Sequence, residues 1–219
     1  MWSSEVTNMI ITGIWETLYM TLVSTLVGYV IGLPMGIILT VSDKDGIKPN
    51  AVLYKILDVI ANIVRSVPFI ILLVLLIPFT RLVVGKSYGS TATIVPLVIA
   101  AAPYIARMVE SSLKEVDAGV IEAARSMGAS NFTIITKVML VEARTSLLVG
   151  ATITLGTILG YSAMSGAVGG GGLGAIAIRY GYTRWQTDIM IVTVILLIIF
   201  FQIFQTVGMK LADKFDHRK

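Results

Sequence analysis

The amino-acid sequence predicts an all-α membrane protein that crosses the bilayer several times, and two observations lead to this fold class. Of its 219 residues, 56% are hydrophobic and 14% are charged, and the mean hydropathy is +0.87. A soluble domain carries roughly 25% charged residues. The apolar residues also form long uncharged runs, which cross a bilayer as helices because a helix satisfies its own backbone hydrogen bonds. We therefore expect a single transmembrane domain over residues 1–219, with five transmembrane helices and a short cytoplasmic helix.

The predicted spans follow the apolar runs, because about 20 apolar residues are needed to cross a hydrocarbon core of about 30 Å. They lie at about 15–41, 59–80, 88–106, 146–167 and 189–209. In the first span Gly28, Gly32 and Gly36 recur on one face, which is typical of close helix packing. The alternative is that glycine is simply frequent in membrane helices. Pro96 and Pro103 are expected to break the third span.

A glycine-rich stretch at about 166–188 follows the fourth span, and we expect a turn and a partly buried re-entrant or interfacial piece there. Gly169, Gly171 and Gly174 formally match a dinucleotide-binding fingerprint, but they follow a membrane helix and lack the required βαβ context. The sequence has no phosphate-binding loop of the Gly-x-x-x-x-Gly-Lys-Ser/Thr kind. We therefore expect no ATPase, no catalytic residue and no cofactor in this chain.

Cysteine and charge usage narrow the function further. The sequence has no Cys and only one His, so disulfides and thiolate metal sites are excluded and no metal site is expected. The basic residues cluster in loops, which is a topology signal in a membrane protein rather than a sign of nucleic-acid binding. With the N-terminus outside and the C-terminus in the cytoplasm, the outer side holds few basic residues, namely Arg81, Lys86, Arg179 and Arg184. The bias predicts this orientation.

The longest polar run contains the predicted short helix, at about 119–128. Val120, Ala124 and Met127 are spaced at i, i+4 and i+7 and therefore share one face. Gly128 is placed to end the helix in a left-handed cap. The charge bias puts this helix in the cytoplasm, where its small-residue face is available to a partner.

The residues of this helix resemble the cytoplasmic loop of bacterial ABC importer permeases. The resemblance rests on Glu122-Ala123-Ala124, on Gly128, and on Leu140 twelve residues later. The family pattern usually closes with a Leu-Pro pair, whereas here Leu140 is followed by valine. The resemblance implies a coupling helix that docks into a groove of a separate ATPase subunit. It assigns this role to Val120, Glu122, Ala123, Ala124, Met127, Gly128 and Leu140.

Three longer stretches, Arg65–Leu73, Ala102–Glu110 and Tyr161–Gly169, are similar to the permeases of the methionine-importer family. The resemblance covers roughly residues 13–182. It implies a type I ABC importer permease in the bacterial inner membrane, functioning as a homodimer. Its other implied partners are two ATPase subunits, which carry ATP and Mg²⁺, and an extracytoplasmic methionine-binding lipoprotein.

The same resemblance implies a substrate pathway between the two copies. The candidate pathway and gate residues are Arg65, Ser66, Pro68, Pro103, Tyr161 and Met164. Two of them have ordinary alternatives. Arg65 could extend its guanidinium to the membrane interface, and Met164 could be a plain lipid-facing or helix-facing side chain.

Other functions are weighed against an importer of D- or L-methionine. An ABC permease for another amino acid or small organic solute shares the coupling loop. A secondary transporter would place carboxylates or histidines in its spans, and the predicted spans have no central acidic residue. A channel also suits glycine-rich and proline-broken spans, but it has no need of the 119–128 helix.

Overall fold

The computed structural model describes residues 4–215, and every element within that range is helical. The first helix, α1, is Ser4–Ser42 and has 39 residues, so it begins well before the predicted span 15–41. Its buried hydroxyl groups donate to the carbonyl one turn earlier, as from Thr17 to Gly13 at 2.8 Å and from Thr25 to Thr21 at 2.7 Å. These bonds allow polar side chains to be buried in an apolar helix.

The predicted second span, 59–80, is not one helix. It is divided into α2 (Ala51–Ser66), α3 (Phe69–Leu75) and α4 (Ile77–Val84), and α2 and α3 meet at 102°. The break follows from Pro68, because the ring of proline disfavours helical dihedrals in the preceding residue. Val67 accordingly has ψ 125°, an extended conformation.

The third span is α5 (Ser90–Lys114), and it differs from the prediction in two ways. Pro96 and Pro103 lie inside one continuous helix, so the predicted breaks are wrong. The helix also continues past the predicted end at residue 106, because the charged side chains of its last turns are paired: Arg107 with Asp58 of α2, and Glu110 with Arg107 and Lys114 of the same helix. Within residues 4–215, four helices are long and apolar enough to cross a membrane. α5 is the most buried of them, with 61% of its most apolar 18-residue stretch buried.

The glycine face of α1 packs against α5. A Cβ added at Gly32 would lie 2.6 Å from the carbonyl oxygen of Ala102, and one added at Gly36 would lie 2.6 Å from that of Ala106. The two backbones are therefore too close for any side chain between them. The packing role of these glycines is confirmed.

A segment of short helices connects α5 to the fourth span. It consists of α6 (Ala118–Ser126), one turn of α7 (Asn131–Thr133), a π-helical stretch (Ile134–Met139) and α8 (Leu140–Glu142). The fourth span, α9, is Arg144–Ser165, against a predicted 146–167. A turn at Ala143 separates α8 from α9 even though the sequence lacks the proline that usually closes the family pattern.

The glycine-rich segment after α9 forms a 3-10 turn (Gly166–Val168), α10 (Gly172–Ile176) and a second π-helical stretch (Ala177–Tyr182). Leu173 of α10 is fully buried. α1 holds the start of α10, since the Gly172 N–H donates to the Glu16 carboxylate at 2.6 Å. This is the partly buried piece that the sequence predicts after the fourth span.

The last helix, α11, is Thr187–Lys214, longer at both ends than the predicted 189–209. Only 11% of its most apolar 18-residue stretch is buried within the chain. Among the described residues, four helices are long and apolar enough to cross a membrane, and counting the bent pair α2–α3 as one further span gives five. Counted in this way, the number of spans is the five that the sequence predicts.

Candidate functional site

The candidate coupling site is built on α6, which is fixed at both ends. Asp117 caps its start, since the Asp117 carboxylate accepts a hydrogen bond from the Gly119 N–H at 2.7 Å. At its end Gly128 has φ +81°, so the left-handed cap predicted at this glycine is present. The Ala129 N–H then donates to the Ala124 carbonyl at 3.1 Å, which closes the cap.

The face assigned to docking needs correction. Ala124 is only 5% exposed and belongs to the hydrophobic core of the chain, whereas Val120 is 41% exposed and Met127 is 82% exposed. Ala124 therefore packs inward against the chain's own core, which also contains Ile134 and Met139. It cannot contact a docked subunit directly, and its role is to seat α6 on the permease.

The outward face of α6 consists of small residues that the sequence reasoning assigned only in part. Gly119, Ala123 and Ser126 are exposed and follow at i, i+4 and i+7, with Glu122 beside them. The signal in the sequence was Ile121, an apolar residue that is partly buried. The face formed by Gly119, Ala123 and Ser126 lies on the opposite side of the helix from Ile121. Such a face lets another protein approach the helix backbone closely.

Leu140 also lies away from the docking face. It is partly buried and packs against the same core cluster as Ala124. Leu140 therefore supports α6 through the core cluster and is not part of its outward face. Arg125 points in another direction again, since its guanidinium donates to the Ile47 carbonyl at 3.1 Å in the loop between α1 and α2.

Four of the six candidate pathway residues lie at or beside the break between α2 and α3. Arg65, Ser66 and Pro68 are exposed at the break between α2 and α3. Directly after the break, Phe69 stacks on Tyr161 of α9, with ring centroids 4.5 Å apart and planes 4° from parallel. The stack brings the broken span and the fourth span together.

The other two candidate pathway residues differ from each other. Met164, near the end of α9, is 53% exposed within one chain and remains available to line a path. Pro103 is buried inside α5, so its assignment as a pathway residue is wrong. α5 is enclosed by α1, α2 and α9, and this position on it has no open surface.

A network of charged side chains joins the C-terminal ends of α1 and α5 to α2, and the sequence reasoning did not identify it. Glu110 is buried and accepts from Arg107 at 2.7 Å and from Lys114 at 2.8 Å. Arg107 also pairs with Asp58 of α2, and Lys114 pairs with Asp43 at 2.7 Å. The available signal was the spacing of the three α5 residues, which puts them on one side of the helix.

The Lys114 ammonium group donates a hydrogen bond that holds the pKa of Asp43 below its usual value. Asp43 is therefore ionised at neutral pH, and its link to α5 is an ion pair. The link between the end of α1 and α5 is therefore charged at neutral pH.

Residues 28–218 match the family model described as binding-protein-dependent transport system inner membrane component. The chain belongs to that family. It is thus an all-α, multi-pass membrane component of a transport system, and the fold class predicted from the sequence is confirmed.

Two named relatives are similar over most of the chain. A protein from Vibrio cholerae called "Probable D-methionine transport system permease protein MetI" is 48% identical over 217 residues, covering 99% of this chain and 96% of the relative. The Escherichia coli K12 protein called "D-methionine transport system permease protein MetI" is 51% identical over 158 residues, covering 72% of this chain and 73% of the relative.

Solved structures give the same fold. A chain from "Inward facing conformations of the MetNI methionine ABC transporter" superposes with a TM-score of 0.97 at 49% identity, covering 99% of this chain and 100% of that one. A chain of an amino acid ABC transporter solved with histidines superposes with a TM-score of 0.73 at 22% identity, covering 98% of this chain and 96% of that one. At that identity the second likeness shows the fold alone.

Proposed function

We propose that this chain is the transmembrane permease subunit of an ATP-driven importer for methionine. The observation that carries the proposal is the near-complete match, at 49% identity, to the permease chain of a methionine ABC transporter. The structure adds a rigidly seated α6 with a small-residue outward face, which suits docking to a second protein. ATP and Mg²⁺ belong to the ATPase subunit in this proposal.

Two copies of the chain form the substrate pathway. Most of α11 is uncovered within one chain, and so are the break at Pro68 and the side chain of Met164. Five spans of which one is central and buried do not enclose a path by themselves. A two-fold pair is the common way for identical membrane subunits to close such surfaces.

Docking converts ATP-driven closure of the ATPases into movement of α6. Ala124 is packed in the core, so α6 cannot slide independently of the helices beneath it. Because packed interfaces have discrete arrangements rather than soft ones, the movement passes to α5 and α9. The pathway then alternates between an inward-open and an outward-open state, with an extracytoplasmic binding protein delivering methionine.

The test is transport by purified components in liposomes. The permease, its ATPase subunit and the binding protein should take up radiolabelled methionine only when ATP is supplied, and D- and L-methionine are measured separately. ATP-driven uptake of another amino acid in place of methionine would transfer the proposal to that solute. Uptake by the permease alone, without ATPase or ATP, would show a channel and overturn it.

A further inference from the structure

The loop between α1 and α2, residues 43–50, is held at two points, one by the end of α5 and one by α6. At one point the Lys114 ammonium pairs with Asp43 at 2.7 Å. At the other point the Arg125 guanidinium donates to the Ile47 carbonyl at 3.1 Å. Lys114 is the last residue of α5, three residues before the cap of α6, and Arg125 lies on α6 itself.

The first of these links is anchored in the interior. Lys114 also pairs with Glu110, which is buried and whose other oxygen accepts from Arg107. Tyr54 of α2 donates to the same Glu110 oxygen that Lys114 contacts, at 3.2 Å. An exposed ion pair contributes little to a defined geometry, but a pair tied to a buried and hydrogen-bonded carboxylate holds its partners in place.

Between these two points the loop and α6 are separated by a cavity of about 500 Å³. The cavity is lined from the loop side by Asp43, Gly46 and Ile47, and from the α6 side by Ile121 and Glu122. The cavity leaves part of the space between the two surfaces unfilled. Ile47 of the loop also packs against the core cluster that contains Ala124, so the polar links at the ends of the cavity add to an apolar contact.

We propose that Asp43 and Lys114 are positioning residues that transmit movement of α6 to α1 and α2. The chain itself connects α6 only to α5 and, through α7 and α8, to α9. The Asp43–Lys114 pair adds a non-covalent route to α1 and α2, which both contact α5. α2 leads directly into the break at Pro68, so this route reaches the candidate pathway. The inference rests on the proposed import function.

The first experiment measures methionine taken up per ATP hydrolysed by the complete complex in liposomes. Asp43→Asn keeps the shape of the side chain and removes its charge. It should lower the ratio several-fold while the ATPase subunits stay bound. The matched control is Lys44→Met in the same loop, because Lys44 and its partner Asp45 are 85% and 84% exposed. The control should keep the wild-type ratio.

A second experiment restores the link covalently. The sequence contains no Cys, so Asp43→Cys combined with Lys114→Cys provides the only two thiols of the permease. The reduced variant should show a low ratio of uptake to hydrolysis. Bridging the two thiols with a short bifunctional reagent should raise the ratio again.

Three outcomes would overturn the inference. They are an unchanged ratio in Asp43→Asn, loss of the ATPase subunits from that variant during purification, and a bridged double variant whose ratio is not raised. Each presupposes that the wild-type complex imports methionine with ATP. A wild-type complex that does not do so would instead overturn the proposed function.

Discussion

At the scale of single residues, two adjacent alanines of α6 have opposite roles. Ala124 is packed in the core with Ile134 and Met139, whereas Ala123 is exposed. One step along a helix rotates a side chain by about 100°. The same substitution at the two positions therefore separates folding of the permease from docking of its partner.

Ala123→Trp should leave the permease folded and release the ATPase subunits on detergent purification, because a large ring on the small-residue face prevents close approach. Ala124→Trp should destabilise the permease itself by about 1–3 kcal/mol or more, because an overpacked core is strained. Thermal unfolding of the permease alone and co-purification of the ATPase are measured for both. If Ala123→Trp retained the ATPase subunits, the docking face would be wrongly assigned.

Gly128 gives a second prediction at this scale. Its φ of +81° is unfavourable for a β-branched residue, so Gly128→Val should disturb the end of α6 at a local cost of about 1–2 kcal/mol. The variant should insert into the membrane normally and lose substrate-stimulated ATP hydrolysis. Gly160→Ala is the control, since Gly160 lies within α9 and an added Cβ would meet no atom within 4 Å. If Gly128→Val hydrolysed ATP at the wild-type rate, the left-handed cap would not be required for coupling.

At the scale of elements, prolines with the same chemistry have different effects. Pro68 separates α2 from α3 at 102°, while Pro96 and Pro103 are accommodated in a continuous α5. Proline removes one hydrogen bond from a membrane helix, and neighbouring helices can compensate for the freed group. Pro103 is buried among such neighbours, and Pro68 is exposed.

The contact between α1 and α5 gives a prediction at the same scale. Gly32→Val would place a branched side chain where a Cβ alone already lies 2.6 Å from the Ala102 carbonyl oxygen. The two helices would have to separate, at a cost of about 1–3 kcal/mol. A lowered unfolding temperature in detergent, compared with Gly160→Ala, is the expected result. Equal unfolding temperatures for the two variants would contradict this close contact.

At the scale of the whole molecule, an odd number of spans, the predicted five, predicts that the two ends of the chain lie on opposite sides of the membrane. The basic residues of the loops predict which end is inside. A reporter fused after Lys219 should be active in the cytoplasm, and one fused before Met1 should be active outside, although both ends lie beyond the described residues. Both reporters on the same side would mean that the bent pair α2–α3 does not cross the membrane.

The membrane class, the short polar helix and its left-handed glycine cap could be predicted from the sequence alone. These follow from local properties, namely long apolar runs, uneven charge and the backbone freedom of one glycine. The glycine repeat of α1 was also readable, because small residues at a spacing of four have few structural uses in a membrane helix.

Three features could be read only from the packing of the folded chain: which side of α6 faces outward, which proline breaks a helix and which charged residues are paired. A nine-residue helix has small or apolar residues on several sides, and helical spacing alone does not rank them. The side that is buried depends on Ile134 and Met139, which return to α6 only after the chain has turned at Gly128. In the same way, the Asp43–Lys114 pair joins residues that are far apart in sequence, and they meet because the glycine face of α1 brings that helix against α5.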